Sequence, residues 1–419
     1  MNNRLNTALL RHQGIKQFHK ISWFLVGALA FILSWKLLRL TGLPNISAYW
    51  DLHVYFLLIF SIIAFRHMLV IKMNILDIVI YLLIVSLFVN IFMHGFISTQ
   101  QYIINYFLPV FFYFWGRYYG LQQNNTIKHK KYILAIITIL VVISYLDFLN
   151  VNGIIQLFDL DIINDISTKF GRSFNRTWDR GELPFTNIMV ARPQGLAFSQ
   201  HASACLLVGI AFYCLEESKI ITVYRKSHKL MFIFSIILAM LYAIGTAYLV
   251  TLILIYSYIQ SKKIKLIFIP ILISGIIYVL YFREVQDVLK FFIAMVKNIN
   301  NNDTLSIFTY LVIGESNPMG DAIGGEIYLF NMIFIMGIFS FMLFIAIIVI
   351  FLNNCKYLYN NRNNVKSIKL FVISVLLGSI HYNTTFVFPT IIILYLTIGY
   401  VSSRTQLIKN NYIAGAING

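Results

Sequence analysis

Charged residues are scarce in this chain of 419 residues. Asp, Glu, Lys and Arg make up 12% of the sequence and hydrophobic residues make up 59%, whereas soluble proteins carry about 25% charged residues. Such a composition excludes a soluble enzyme with a single membrane anchor. Because one membrane span needs about 20 apolar residues, the composition predicts an all-α, polytopic membrane protein with about 12 transmembrane helices.

Cysteines and linker sequences are also rare. The three cysteines, Cys205, Cys214 and Cys355, lie apart without a CxxC pair, so neither a disulfide framework nor a zinc site is expected. No repeat and no Pro- or Ser-rich linker divides the chain, which predicts one membrane domain over residues 1–419. The first apolar stretch begins at Ile21 without a cleavage pattern after it, and we expect it to remain as a span.

Apolar runs between charge clusters place the twelve predicted spans. The two pairs within residues 230–258 and 370–401 have short halves, so tilted, re-entrant or broken helices are alternatives to full spans there. The predicted spans lie near Ile21 to Leu38, Leu52 to Phe65, Ile75 to Met93, Tyr102 to Trp115, Tyr132 to Phe148, Leu196 to Leu215, Leu230 to Tyr242, Tyr248 to Tyr258, Leu266 to Phe282, Ile327 to Leu352, Leu370 to Ile380 and Phe386 to Val401.

Lys and Arg collect on alternate connections between these spans. Seven segments on one side hold 23 of the 33 basic residues, and the only acids in them or at the span ends beside them are Asp77, Glu216 and Glu217. The positive-inside rule predicts that this side is cytoplasmic and that both termini lie on it. Because the positive charge is spread over short loops, it favours contact with anionic membrane lipid and gives no patch for nucleic acid.

Two long connections remain, at about 149–195 and 283–326, and both are predicted on the outer side. The first is rich in arginine although positive charge is disfavoured there. Arginine binds phosphate through a planar donor fork, so we expect a site for a pyrophosphate-bearing, lipid-linked glycan; the alternative is pairing with nearby acids. The basic and aromatic residues are Lys169, Arg172, Arg176, Arg180 and Arg192, interleaved with Phe170, Phe174 and Trp178.

The end of the first loop leads directly into the sixth predicted span. Pro193 and Gly195 predict a turn that holds Arg192 at the membrane edge, near the positive end of the following helix. An anion there would meet both an arginine and free backbone amides. The alternatives are that this is an ordinary turn before a helix and that His201 is a satisfied polar residue in its first turns.

At these residues the chain resembles the superfamily of O-antigen polymerases and ligases, which are bacterial multispan membrane enzymes. The resemblance rests on the span number and three motifs. The ligase branch has a histidine followed by asparagine at the end of its main outer loop, where this chain has Glu326. It also has a Ser-Arg pair at the helix break, where this chain reads Thr246-Ala247-Tyr248. Both departures favour a Wzy-type polymerase. The motifs are Arg192-Pro-Gln-Gly195-Leu-Ala-Phe-Ser before a small-residue helix, the broken pair at Gly245-Thr246-Ala247, and Gly324-Gly325-Glu326-Ile-Tyr-Leu-Phe-Asn331 before a helix carrying Gly337.

The resemblance implies transfer of a growing glycan between two undecaprenyl-pyrophosphate carriers at the periplasmic face of the bacterial inner membrane. Such a reaction needs a cationic clamp for the departing pyrophosphate and a base for the attacking hydroxyl. Arg192 with Arg176 or Arg180 is the candidate clamp, and Glu326, Asp321 or His201 the candidate base. Arg172, Trp178, Arg283, His381 and Tyr382 are candidate substrate-binding residues. No metal or other cofactor is expected, and a chain-length regulator is the implied partner.

Two other functions remain as alternatives. An O-antigen ligase is the nearer one because it shares the superfamily. A flippase for lipid-linked repeat units has a similar length and span number, but it is expected to have short connections and charges inside its bundle. In this chain the spans are almost uncharged, and the charges of the outer side fall mainly in two long loops.

Overall fold

The structure is a computed structural model and is predominantly helical. It describes residues 73–94, 108–121, 126–155, 180–183, 186–193, 200–259, 261–279, 312, 328–360, 365–379 and 390–417. Helices account for 86% of them. The elements are α1 (Ile75–His94), α2 (Leu108–Leu121), α3 (Thr126–Val151), β1 (Arg180–Glu182), β2 (Met189–Ala191), α4 (Gln200–Ile220), α5 (Arg225–Leu241), α6 (Gly245–Tyr258), α7 (Lys262–Val279), α8 (Tyr328–Asn360), α9 (Lys366–Gly378) and α10 (Thr390–Ile417).

The helices follow the predicted spans from the third onward. Each of those ten spans overlaps one of α1 to α10, while the first two spans lie outside the described residues. Several helices run past the predicted ends, because backbone hydrogen bonds continue where the apolar run stops. Within the described residues, three helical stretches are long and apolar enough to cross a membrane, namely Lys131–Val151, Met336–Asn360 and Thr390–Asn410.

One element departs from the expected all-α architecture. β1 and β2 form a two-stranded antiparallel sheet in which Gly181 lies opposite Val190. The strands are three residues each, too short to leave an alternating hydrophobic pattern in the sequence. This hairpin, residues 180–193, immediately precedes the segment that leads into α4.

The described elements belong to two compact units. Helix α3 belongs to the unit formed by residues 1–57 and 123–179. All other described elements belong to the second unit, residues 58–122 and 180–419. Within the second unit α2 packs along α10, α4 packs against α5 and α9, α1 packs against α8, and α6 packs against α7.

Helix α1 is apolar on two opposite sides. One stripe is buried in the unit, and a second stripe of equally large side chains is exposed. A helix that is apolar all round is typical of a membrane span, where the outer stripe meets lipid. The buried stripe is Leu76, Ile80, Leu83 and Leu87, and the exposed stripe is Ile75, Ile78, Leu82, Val85, Val89 and Phe92.

Helices α2 and α10 approach each other through glycine. A Cβ atom at Gly116 would overlap the carbonyl oxygen of Leu396, and one at Gly399 would overlap that of Tyr113. Gly120 faces Ser403 one turn further along, so the two helices run in the same direction. This is the small-xxx-small geometry that brings helix backbones into contact inside membranes.

Helix α8 is broken at Gly337. That residue has φ 75° and ψ 155°, a backbone conformation essentially restricted to glycine. The break separates a first segment, 328–336, from the long apolar segment that follows. Ser340, just beyond the break, shares a hydrogen bond of 2.7 Å with Ser86 of α1.

We expect Gly337→Ala to destabilise the protein by about 2 kcal/mol, because alanine cannot take this conformation without strain. Thermal unfolding of the purified full-length protein in detergent micelles measures the effect. The matched control is Gly209→Ala, which adds the same methyl group inside helix α4, where the nearest atom is a Phe371 ring carbon at 3.1 Å. Equal stability of the two variants would contradict the assignment of strain to Gly337.

Candidate functional site

The break between α5 and α6 is a deeply buried stretch of irregular backbone. Tyr242, Ala243 and Ile244 separate the two helices and are almost completely buried. Ala243 has φ 51°, the left-handed conformation that residues other than glycine rarely adopt. The short halves within 230–258 were expected to be full, tilted, re-entrant or broken spans, and they form two helices joined at this break.

A break between two helices in a buried place frees carbonyl groups that must find donors inside the protein. Two side chains provide them here. Nη2 of Arg192 donates to the carbonyl of Ala243 at 2.7 Å, and the Tyr248 hydroxyl reaches back along the chain to donate to the carbonyl of Met240 at 2.8 Å. The break is therefore held from the hairpin on one side and from α6 on the other.

The hairpin positions Arg192 for this contact. Its turn is closed by hydrogen bonds from the Leu183 amide to the Ile188 carbonyl and from the Thr186 amide to the Leu183 carbonyl, at 3.0 and 3.1 Å. Arg192 follows directly after β2 and is only 8% exposed. A Cβ atom at Gly181 in β1 would overlap the guanidinium group, so the absence of a side chain there makes room for it.

Two predicted site residues other than Arg192 fall within the described residues. His201 lies in the first turn of α4 and is partly buried. Arg180 is the first residue of β1, so the backbone places it in the same hairpin as Arg192. The remaining predicted residues lie outside the described part of the chain: Arg172, Arg176, Trp178, Arg283, Asp321, Glu326, His381 and Tyr382. Among the described residues, no cluster of three His, Cys, Asp or Glu side chains could hold a metal ion.

A buried ion pair that the sequence did not predict joins α1, α2 and α10. Asp77 and Arg117 are 1% and 0% exposed, and Nη2 of Arg117 lies 2.8 Å from a carboxylate oxygen of Asp77. The Tyr113 hydroxyl donates to the same carboxylate at 2.6 Å. Nη1 of Arg117 donates to the Gln406 side-chain oxygen at 2.8 Å. From the sequence, Asp77 and Arg117 were expected only to contribute charge near the cytoplasmic ends of the predicted spans.

A second polar cluster joins the ends of α4, α6 and the start of α9. Glu216 accepts hydrogen bonds from Lys219 at 2.7 Å and from Lys366 at 3.4 Å, and both ammonium groups lie over the ring of Tyr258. The Ser367 hydroxyl donates to Glu217 at 2.6 Å. All three acids of the predicted cytoplasmic side are thus buried and bonded.

The pKa of Glu216 follows from this environment. Burial alone would raise the pKa, but the hydrogen bond from Lys219, the nearby Tyr258 hydroxyl and the charges of Lys366 and Lys219 outweigh it and lower the pKa below its ordinary value. Because the pKa of Glu216 is lower in the folded state, its ionised carboxylate stabilises the protein at pH values above the pKa that Glu216 has in the unfolded chain. This stabilisation is lost as the pH falls through the folded-state pKa.

Comparison of the chain with protein-family models, with curated proteins and with solved structures finds no match. The candidate site therefore stands on its own geometry: a buried arginine from a hairpin, bonded to the carbonyl at a helix break, in a helical protein with membrane-spanning stretches.

Proposed function

We propose that this protein is a polymerase of the O-antigen type, which joins lipid-linked polysaccharide repeat units at the periplasmic face of the bacterial inner membrane. The observation that carries the proposal is the meeting of Arg192 with the helix break at Ala243. It brings together the two segments on which the sequence resemblance rests most heavily, the loop end at Arg192 and the broken pair at Gly245.

The proposed topology has about 12 spans with both termini in the cytoplasm, and the contacts among the described helix ends agree with the alternation of spans on which it rests. Alternation of the spans puts Asp77, Arg117 and Gln406 on one side, and these residues bond to each other. The same alternation puts Glu216 and Lys366 together on that side, and they are also bonded. It gives α2 and α10 the same direction, in agreement with the order of their glycine contacts.

The proposed reaction moves a glycan from one carrier to another. A hydroxyl at the non-reducing end of the incoming repeat unit attacks the anomeric carbon of the growing chain, and the bond from that carbon to the pyrophosphate oxygen breaks. The hydroxyl proton passes to a base, for which Glu326, Asp321 and His201 are the candidates. Undecaprenyl pyrophosphate leaves with the bonding electrons, and arginine side chains stabilise its added negative charge.

The first outer loop supplies the proposed pyrophosphate site. Its arginines Arg172, Arg176 and Arg180 are cations on the side of the membrane where cations are otherwise sparse, and a guanidinium group binds phosphate through two parallel hydrogen bonds. Trp178 offers a flat apolar face for a sugar ring. Arg283, His381 and Tyr382 complete the proposed substrate contacts, and a chain-length regulator in the same membrane is the proposed protein partner.

A lipopolysaccharide gel from a strain that lacks this gene tests the proposal. We expect lipid A core that carries a single repeat unit, because flipping and ligation continue when polymerisation is lost. Bare core would contradict the polymerase and indicate a ligase or a flippase. An unchanged ladder of long chains would exclude all three functions.

Complementation of that strain then tests the outer arginines. Arg176→Ala is expected to lower the amount of long-chain polymer at least tenfold at matched protein level, since one charged hydrogen-bonding group at a reacting phosphate is worth about 1.5–3 kcal/mol. Arg225→Ala is the matched control, because Arg225 is an exposed arginine at the start of α5 on the proposed cytoplasmic side. Equal polymer from the two variants would remove Arg176 from the clamp.

A further inference from the structure

We infer that Arg192 is a positioning residue: it fixes the backbone of the helix break at Ala243 and leaves pyrophosphate binding to the other arginines of the first outer loop. This inference deepens the proposed function and rests on it for its catalytic meaning. Its structural content, the dependence of the break on Arg192, stands on the geometry of the described residues.

The guanidinium group is committed to the protein rather than presented to a ligand. Arg192 is 8% exposed, its Nη2 atom donates to Ala243, and its Nε, Cζ and Nη2 atoms occupy the space that a Cβ atom at Gly181 would need. A clamp for a pyrophosphate on a long lipid must present its donor fork to an incoming group. The arrangement seen here instead connects the hairpin to the break between α5 and α6.

The backbone conformation of Ala243 requires stabilisation by its surroundings. Its left-handed backbone is strained for a residue with a Cβ atom and persists only where the surroundings enforce it. Backbone hydrogen bonds hold the N-terminal side of the break, from the Tyr242 amide to the Leu238 carbonyl and from the Ala243 amide to the Met240 carbonyl. The side-chain bond from Arg192 reaches the Ala243 carbonyl itself.

The consequence is a mechanical link between the outer hairpin and α6. Moving the hairpin moves Arg192 and takes this donor away from the buried Ala243 carbonyl, which favours relaxation of the break. The first residues of α6, Gly245, Thr246 and Ala247, would then change direction. The hairpin that begins with Arg180 and the start of α6 therefore form one unit.

A double-mutant comparison tests this inference on the full-length protein in lipid nanodiscs. Amide hydrogen exchange at residues 244–248 reports the break directly, without need of activity. Arg192→Ala is expected to speed this exchange at least tenfold. In an Ala243→Gly background the same change is expected to have a clearly smaller effect, because glycine takes the left-handed conformation without strain and only the loss of the carbonyl's donor remains.

Gly181→Ala provides a second variant that keeps every polar group. The added methyl group would push the guanidinium off the Ala243 carbonyl, so faster exchange at 244–248 is expected here too, with the arginine charge retained. Arg225→Ala serves as the control for loss of an arginine elsewhere. Unchanged exchange in both Arg192→Ala and Gly181→Ala would overturn the inference.

Polymer length in the complemented deletion strain supplies the catalytic readout. If Arg192 acts through the break, Ala243→Gly restores part of the polymer lost with Arg192→Ala, because the two changes are coupled. An equal loss of polymer in both backgrounds would mean that Arg192 binds the substrate itself. If hydrogen exchange shows the coupling but the deletion strain keeps its normal lipopolysaccharide ladder, the link at the break stands. The polymerase proposal is then contradicted instead.

Discussion

Replacement of Arg117 by methionine is expected to destabilise the protein by about 3–5 kcal/mol, the usual cost of removing one partner from a buried ion pair. Arg117 is fully buried, and its loss leaves the Asp77 carboxylate without its counter-charge between α1, α2 and α10. The Gln406 side chain loses a donor at the same time. Unfolding of the full-length protein by SDS titration in mixed micelles, followed by circular dichroism, measures the change.

A double-mutant cycle separates the ion pair from general damage to the packing. Asp77→Asn combined with Arg117→Met removes both charges, and we expect this pair to cost less than the sum of the single changes, since no unpaired charge remains buried. Strictly additive effects would show that Asp77 and Arg117 act independently. Arg225→Ala, at an exposed position, is expected to change stability by less than about 0.5 kcal/mol.

The second large effect is expected from Gly399→Ala, which we predict to destabilise the protein by about 3 kcal/mol through overpacking. The new methyl group would overlap the Tyr113 carbonyl, and the Arg117 amide lies 2.9 Å from its position. Because the obstacles are backbone atoms, the two helices must separate rather than repack a side chain. That separation also pulls Gln406 away from Arg117.

Gly209→Ala is the matched control for this change. It adds the same methyl group to a buried glycine of α4, but the nearest atoms belong to the side chains of Phe371 and Ser374, at 3.1 and 3.3 Å, which can shift. We expect a cost below about 1 kcal/mol there, and the same SDS titration compares the two. A Gly399→Ala variant as stable as Gly209→Ala would mean that α2 and α10 are not in backbone contact.

Apolar runs were sufficient to predict where helices form. Each predicted span from the third onward overlaps a helix, because about 20 apolar residues without charge have few other ways to satisfy their backbone in a membrane. Even the short halves within 230–258 were recognised as a place where a helix could be broken. The signal there was the length of the two halves, each of which is short for a bilayer.

Pairings between distant helices were not predictable in the same way. Asp77 and Arg117 lie 40 residues apart, and hydropathy assigns both to the ends of spans without indicating which neighbours those ends meet. The only sequence signal for the break at Gly337 is a glycine inside a long apolar run. That signal is weak, because glycine is frequent in membrane helices. Arg192 was predicted at the membrane edge, but its acceptor, a backbone carbonyl, carries no sequence signature.

The close contact of α2 with α10 also has a consequence for biosynthesis. About 270 residues separate the end of α2 from the start of α10, which at 5–20 residues per second corresponds to about 15–50 seconds of translation. During that interval the glycine face of α2 has not yet met α10, and Arg117 lacks its Gln406 acceptor. Asp77 is synthesised before Arg117 and is available from the start to neutralise it. The ion pair can therefore form from α1 and α2 alone, before the C-terminal helix has been made.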